Sequence, residues 1–103
     1  MKAIVGDIGN TITKVCLIET KKFRVKKIIY FSSIKILSES FLRKKFGKII
    51  KDDYVNKIAL FSSVVPKYKS SLKNFLNKFY NVKLKEIKEK NIKKILQYWI
   101  KRN

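Results

Sequence analysis

A short polar segment near the start of the chain carries residue types suited to handling phosphate. Asp7 follows the apolar run 3–5, and Gly9, Asn10 and Thr11 come just after it. Glycine lets a backbone turn sharply and come close to an anion, and the Asn and Thr side chains add hydrogen-bonding groups. A carboxylate such as that of Asp7 can hold a hard cation, for example Mg²⁺, that bridges the phosphates of a nucleotide. The segment therefore indicates a phosphate-binding turn.

The same segment is also compatible with an ordinary hairpin turn between two strands. Asn and Gly are the residues that such turns favour, so Gly9-Asn10 fits this simpler interpretation. Two of the three glycines in the chain, Gly6 and Gly9, fall in this segment, and the sequence predicts both of them within the turn. That concentration favours a functional turn, but it does not exclude the hairpin.

Three strands are predicted to hold this turn in place. They span 2–5, 12–18 and 22–31. Short polar segments separate them, so we expect an antiparallel meander. The second strand is apolar on both faces, as a central strand should be. The third alternates and has one apolar face, formed by Phe23, Val25, Ile29 and Phe31.

Strands and helices alternate in the rest of the chain. The patterns predict a helix over 38–51 with Ser38 as its N-cap, a strand over 57–61 that is apolar on both faces, a helix over 69–79, a strand over 80–87 and a helix from residue 91. The first of these helices has an apolar stripe formed by Phe41, Leu42, Phe46, Ile49 and Ile50. The last helix has one apolar stripe: Ile92, Ile95, Leu96, Trp99 and Ile100. The order βββαβαβα predicts one α/β domain with a mixed five-stranded sheet and helices against it. It resembles the ribonuclease-H-like (actin-like ATPase) lobe from which the actin, Hsp70 and sugar-kinase superfamily is built.

The chain is strongly basic, with a formal net charge of +19 over 103 residues. Such a charge suggests binding to nucleic acid or to an anionic membrane. However, the lysines are spread along the whole chain, and only Arg24, Arg43 and Arg102 are arginines. Arginine is the preferred residue for bidentate phosphate and base contacts, and no RNA-binding aromatic pattern or zinc-finger spacing is present. We therefore expect weak, non-specific polyanion binding at most.

The single cysteine, Cys16, lies in an apolar strand, and the chain contains no histidine. A catalytic cysteine usually needs a histidine base, so a buried, inert thiol is expected. The absence of an internal disulfide fits a reducing cytoplasm. The N-terminus is predicted to be a strand rather than a signal peptide, since Asp7 interrupts its apolar run. No run of residues reaches transmembrane length.

Two segments together resemble one known family. The segment 5–11 followed by Lys14-Val15, and the segment 62–66 (Ser-Ser-Val-Val-Pro) at the end of the fourth strand, resemble two hallmark motifs of type III pantothenate kinases. Their separation and their places in the strand order agree with that family. The resemblance covers roughly residues 1–80, and the remaining residues carry no motif of the family.

The resemblance implies transfer of the ATP γ-phosphate to pantothenate, the first committed step of coenzyme A biosynthesis. The family uses Mg²⁺, often with a monovalent cation (K⁺ or NH₄⁺), and forms dimers of two-lobed subunits. Carried over by position, Asp7 would place the metal and phosphates, and Gly9, Asn10 and Thr11 would form the phosphate turn. Lys14 could face the phosphates or be a solvated strand lysine. The segment 62–66 could line the cleft, or it could be structural, with two core valines and a helix starting at Pro66.

The chain also departs from the family's pattern. The Gly-Asp-Arg segment with the catalytic aspartate, the pantothenate pocket and the second phosphate loop of the second lobe are not found. We therefore expect 1–103 to be a single N-terminal lobe without a catalytic residue, inactive alone. It would be a truncated kinase, or half of a split one that needs a separately encoded remainder or a homodimer partner. The alternatives are a small basic nucleic-acid-binding protein and a protein whose last helix docks on a partner or a membrane.

Overall fold

The computed structural model of the chain describes residues 2–50 and 55–87. These residues form five strands, two α-helices and one 3-10 helix. In chain order they are β1 (Lys2–Ile8), β2 (Ile12–Glu19), β3 (Arg24–Ser32), the 3-10 helix (Ser33–Leu37), α1 (Glu39–Ile50), β4 (Ile58–Ser63), α2 (Pro66–Tyr80) and β5 (Lys83–Glu86). The predicted order is confirmed as far as β5, with the 3-10 helix as an addition. The helix predicted from residue 91 lies outside the described residues.

The strands form one mixed sheet in the order β3-β2-β1-β4-β5. The first three strands pair antiparallel with their neighbours in sequence, which confirms the predicted meander. β4 pairs parallel with β1, and β5 pairs parallel with β4. The α/β class and the mixed five-stranded sheet are thus confirmed, and β1 lies at the centre of the sheet with one antiparallel and one parallel neighbour.

The main hydrophobic core joins one face of the sheet to both helices. Its buried members on the sheet include Ile4 and Leu17, and those on the helices include Phe46 and Leu76. The predicted start of α1 is confirmed, because the Phe41 backbone N–H donates to the Ser38 hydroxyl over 3.3 Å. The predicted apolar stripe of α1 faces the core: Leu42, Phe46, Ile49 and Ile50 are buried, and Phe41 is half-buried. The helices therefore fix the position of the sheet strands beneath them.

β1 is three residues longer than predicted, so the expectation that Gly6 belongs to the turn is wrong. Gly6 lies inside the strand, opposite Val15 on β2 and Phe61 on β4. A Cβ atom at this position would collide with the Phe61 ring and would lie 2.7 Å from the carbonyl oxygen of Lys14. The glycine is therefore needed for close packing inside the sheet and not for a turn.

β3 contains an irregularity that changes which face its apolar residues occupy. Leu17 pairs with Lys27 while its neighbour Ile18 pairs with Val25, so Lys26 is an extra residue on β3. Such a bulge reverses the alternation of side chains beyond it. Val25 consequently packs beside Cys16 and Ile18, on the face opposite the main core.

The predicted single apolar face of the third strand is therefore wrong at two positions. Ile29 and Phe31 belong to the main core, but Val25 lies on the other face of the sheet. Phe23 is outside β3, in the preceding turn, where 62% of its surface is exposed. The alternation of apolar and polar residues along one strand cannot reveal a bulge, because a residue is extra only in relation to its pairing with the neighbouring strand.

The last two predicted strands need smaller corrections. On β4, Ala59 and Phe61 are buried, but Ile58 and Leu60 are exposed, so the strand is covered on one face only. β5 is shorter than predicted, because α2 extends to Tyr80 and Asn81 ends it in the left-handed conformation with φ 54°. Among the described residues, no helix is long and apolar enough to cross a membrane.

Candidate functional site

Three polar side chains lie side by side where β1 approaches its end. Asp7 on β1 pairs with Lys14 on β2 and with Ser62 on β4. Directly paired residues of neighbouring strands point to the same face of a sheet, so the three side chains share one face. β1 and β4 are parallel, and ligands of open α/β sheets bind outside the carboxyl ends of such strands. The site predicted from Asp7 is therefore in a suitable place.

Asp7 and Ser62 are joined by a hydrogen bond, although 55 residues separate them in the chain. The Ser62 hydroxyl donates to Oδ1 of Asp7. Ser62 is only 3% exposed, whereas Asp7 is half-buried and so is open on one side. The sequence indicated both residues through separate motifs, and the parallel pairing of β1 with β4 brings them together.

The rest of the second motif has mixed roles. Pro66 is the first residue of α2, as its structural interpretation predicted. Val65 packs against the main core, but Val64 is 57% exposed, so the expectation of two core valines is wrong for Val64. The Ser63 hydroxyl accepts a hydrogen bond from the Val65 backbone N–H over 3.2 Å. This local bond shapes the link between β4 and α2.

Gly9, Asn10 and Thr11 form the connection between β1 and β2, so the predicted turn is present and is also a hairpin turn. The Gly9 N–H donates to the carbonyl oxygen of Ile12 over 3.1 Å. A Cβ atom on Gly9 would lie 2.8 Å from the same oxygen, so the tightness of the turn requires glycine here. Asn10 and Thr11 are exposed and accessible to a ligand.

Two buried hydroxyl groups, those of Ser33 and Thr13, support this turn and were not predicted from the sequence. The Ser33 hydroxyl donates to the carbonyl oxygen of Gly9 over 2.7 Å, and Oγ1 of Thr13 lies 2.7 Å from the same hydroxyl. The Ser33 backbone N–H also donates to the carbonyl oxygen of Thr11 over 2.8 Å. Both side chains are fully buried. No local pattern could have indicated this contact, because Ser33 is the first residue of the 3-10 helix that follows β3, far from Gly9 in the chain.

Lys14 extends towards β3 rather than standing isolated beside Asp7. Its ammonium lies 5.1 Å from the centre of the Tyr30 ring, and Tyr30 is its paired residue on β3.

Cys16 is a buried free thiol, as predicted. Burial raises the pKa of this thiol above its usual value, and the positive charge of Lys14 opposes that shift to a lesser extent. Cys16 is therefore held as the neutral thiol.

The side chains around Asp7 suit a cation that is bound jointly by the Asp7 carboxylate and the phosphates of a ligand. In the part of the chain that the structure describes, they do not form a site in which several protein ligands surround a metal ion. Within residues 2–50 and 55–87, no three His, Cys, Asp or Glu residues are grouped to hold a metal ion. Mg²⁺ commonly binds one or two protein carboxylates and completes its shell with water and substrate phosphates. One half-buried carboxylate beside an exposed turn meets that requirement.

These features define a class of protein: an α/β lobe of the actin-like ATPase type, with a carboxylate and a tight turn at the carboxyl edge of its sheet. The sequence model of the family named type III pantothenate kinase matches residues 3–102. The chain therefore belongs to the type III pantothenate kinase family. It is 40% identical over 94 residues to the type III pantothenate kinase of Pelagibacter ubique (strain HTCC1062). The alignment covers 91% of this chain and 37% of that relative, so the chain spans little more than a third of the relative's length.

Proposed function

We propose that this chain forms the part of a type III pantothenate kinase that binds the phosphates of ATP together with Mg²⁺. The reaction would be transfer of the ATP γ-phosphate to pantothenate, at the start of coenzyme A biosynthesis. The observation that carries the proposal is the meeting of Asp7, Ser62 and the turn 9–11 at the ends of two parallel strands, in a chain of this family.

The turn supplies the contacts to phosphate. Asn10 and Thr11 are exposed, so their backbone N–H groups and polar side chains would donate to phosphate oxygens. Gly9 keeps the backbone close to the ligand because it carries no side chain. The buried Ser33 hydroxyl holds the Gly9 carbonyl oxygen, so the shape of the turn is set before a ligand arrives.

Asp7 is the residue that would hold Mg²⁺. Bound Mg²⁺ would neutralise phosphate charge, which is the main requirement of phosphoryl transfer. Lys14 is placed to add a second positive charge near the phosphates if it leaves the Tyr30 ring. A monovalent cation, K⁺ or NH₄⁺, is part of the proposal through the family resemblance alone.

The pantothenate site and the general base are proposed to come from other residues. In the described part of the chain, Glu19 bonds to its own hairpin turn, Glu39 pairs with Lys78 over 3.3 Å, and Glu86 pairs with Lys69 over 3.0 Å. We propose that the 103-residue chain alone does not phosphorylate pantothenate and needs a second lobe or a homodimer partner. The free Cys16 thiol supports a reducing, cytoplasmic setting.

Nucleotide titration with and without Mg²⁺ tests the proposal. We expect Mg²⁺ to tighten ATP binding by about tenfold and to shift the amide NMR signals of residues 9–11. Asp7→Asn should remove the tightening, because the cation loses its carboxylate, and should leave binding without Mg²⁺ intact. Glu39→Gln is the matched control, since it removes the same charge from an exposed position on α1.

Two results would contradict the proposal. ATP binding that ignores Mg²⁺, is equal in both variants and collapses at high salt would indicate non-specific attraction to the lysine-rich surface. Pantothenate phosphorylation by the 103-residue chain, abolished by Asp7→Asn, would contradict the proposed inactivity.

A further inference from the structure

The Ser62–Asp7 hydrogen bond has a role that the binding of phosphate by the turn does not explain. Ser62 is almost completely buried, and its hydroxyl is directed at the half-buried carboxylate of Asp7 on the neighbouring strand. We propose that Ser62 is a positioning residue, which holds the Asp7 carboxylate so that its second oxygen, Oδ2, faces the incoming cation. This inference rests on the proposed function, because it assigns Ser62 to the same metal site.

The backbone gives this contact a defined geometry. Asp7 and Ser62 are paired positions of the parallel strands β1 and β4, and three further pairs hold the same register. Burial keeps water from competing for the Ser62 hydroxyl. An aspartate on a sheet surface would otherwise sample several rotamers, and it would lose that freedom only when the cation binds. The hydrogen bond therefore restricts the Asp7 side chain before the cation binds, so that less conformational entropy is lost on binding.

The chemical nature of the donor also suits a cation site. A hydroxyl group orients a carboxylate without adding a positive charge that would compete with Mg²⁺. The cationic neighbour of Asp7, Lys14, instead lies with its ammonium 5.1 Å from the centre of the Tyr30 ring. Asp7 therefore has a neutral donor on the β4 side and a lysine directed towards β3 on the other side.

Ser63 provides an internal comparison because it is the next residue on the same strand. Its hydroxyl bonds to the backbone of Val65, two residues along the chain, and it pairs with Ile8 rather than Asp7. Successive residues of a strand point to opposite faces, so only Ser62 can reach Asp7. Two adjacent serines thus have one local and one long-range role.

The test uses the full chain and the variants Ser62→Ala, Ser62→Thr and Ser63→Ala. One measurement is the side-chain rotamer of Asp7 from NMR scalar couplings, which needs no ligand. The other is the Mg²⁺ concentration that gives half-maximal tightening of ATP binding. In Ser62→Ala we expect Asp7 to sample several rotamers and the Mg²⁺ requirement to rise roughly tenfold, as for other residues that orient metal ligands. Ser62→Thr should restore both values, and Ser63→Ala should change neither.

The outcomes separate this inference from the function on which it rests. If the original chain shows no Mg²⁺-dependent ATP binding, the proposed function fails, and this inference fails with it. If the original chain binds normally, a single Asp7 rotamer and an unchanged Mg²⁺ requirement in Ser62→Ala would overturn the inference alone. Equal weakening with and without Mg²⁺ would also overturn it, since that pattern indicates general structural damage. Should Ser62→Ala not fold, Ser62→Cys replaces it, because a thiol of similar size is a weak donor.

Discussion

The two hairpin turns of the meander are similar in sequence position but are held in opposite ways. The turn at residues 9–11, between β1 and β2, is fixed by the buried hydroxyl of Ser33, which lies 24 residues beyond Gly9. The turn at residues 20–23, between β2 and β3, is anchored by Glu19, whose exposed carboxylate accepts the N–H groups of Lys21 and Lys22 over 3.1 and 2.8 Å. One turn depends on the tertiary structure, and the other depends on its own neighbours.

The comparison shows what distinguishes a candidate functional turn from a simple connection. Both turns reverse the chain between antiparallel strands, and polar residues favour both. Only the first lies beside the end of a parallel strand, where Ser62 reaches Asp7. The second instead holds the exposed Phe23 in the left-handed region with φ 53°, a costly conformation for an aromatic residue. Support from a distant buried residue therefore distinguishes the first turn, which is the one that we propose binds phosphate.

The largest effect is expected from adding a methyl group to the first turn. In Gly9→Ala the new Cβ would lie 2.8 Å from the Ile12 carbonyl oxygen, so the turn must distort. We expect the free energy of unfolding in urea to fall by about 2–3 kcal/mol. Gly47→Ala is the matched control, since no atom lies within 4 Å of its Cβ and alanine favours a helix by about 0.5–1 kcal/mol. Equal changes in both variants would contradict the tight geometry of the first turn.

Removal of the buried Ser33 hydroxyl should have the next largest effect on the free energy of unfolding. Ser33→Ala leaves the Gly9 carbonyl oxygen without its donor and Thr13 without its partner, so we expect a loss of about 1–2 kcal/mol. Amide hydrogen exchange should accelerate at residues 9–12 and stay unchanged at residues 20–23. Faster exchange in both turns would show that Ser33 supports the domain in general and not the first turn.

Substitution of Phe23 in the second turn should increase the stability of the fold instead of decreasing it. Phe23→Asn places a residue that tolerates the left-handed conformation at φ 53° and removes an exposed aromatic side chain. We expect the free energy of unfolding to rise by about 0.5–1 kcal/mol, because the conformational strain is relieved. A clear loss of stability would mean that contacts of the Phe23 ring outweigh the strain.

The smallest effect is a pH dependence in the second turn. The backbone N–H groups of Lys22 and Lys21 lower the pKa of Glu19 below its usual value of 4.5. The folded chain therefore favours the carboxylate, and its stabilisation is present above pH 4.5 and is lost as the pH falls through the lower folded pKa. The difference in stability between the original chain and Glu19→Gln should shrink over that interval. A difference that is constant with pH would exclude this role of the Glu19 charge.

Sequence patterns predicted most elements of the fold and the position of the first turn. The strand order and the apolar stripe of α1 follow from short-range periodicity, and Gly9, Asn10 and Thr11 form the turn that was expected between β1 and β2. The extra residue Lys26 on β3 was not predictable, because a bulge is a property of two paired strands. The support of the first turn by Ser33 was not predictable for the same kind of reason, since its partners Gly9 and Thr13 are distant in the chain.

The sequence alone determined which residues are candidates for the chemistry: a carboxylate, a tight polar turn and a serine-rich strand end, each encoded within a few consecutive positions. Only the tertiary structure decided how they combine. The parallel register of β1 and β4 sets Ser62 against Asp7, and the close approach of Phe61 requires glycine at position 6. The physical reason is that propensity and periodicity act over a few residues, whereas hydrogen bonds between strands and packing across the core join residues that the chain keeps far apart.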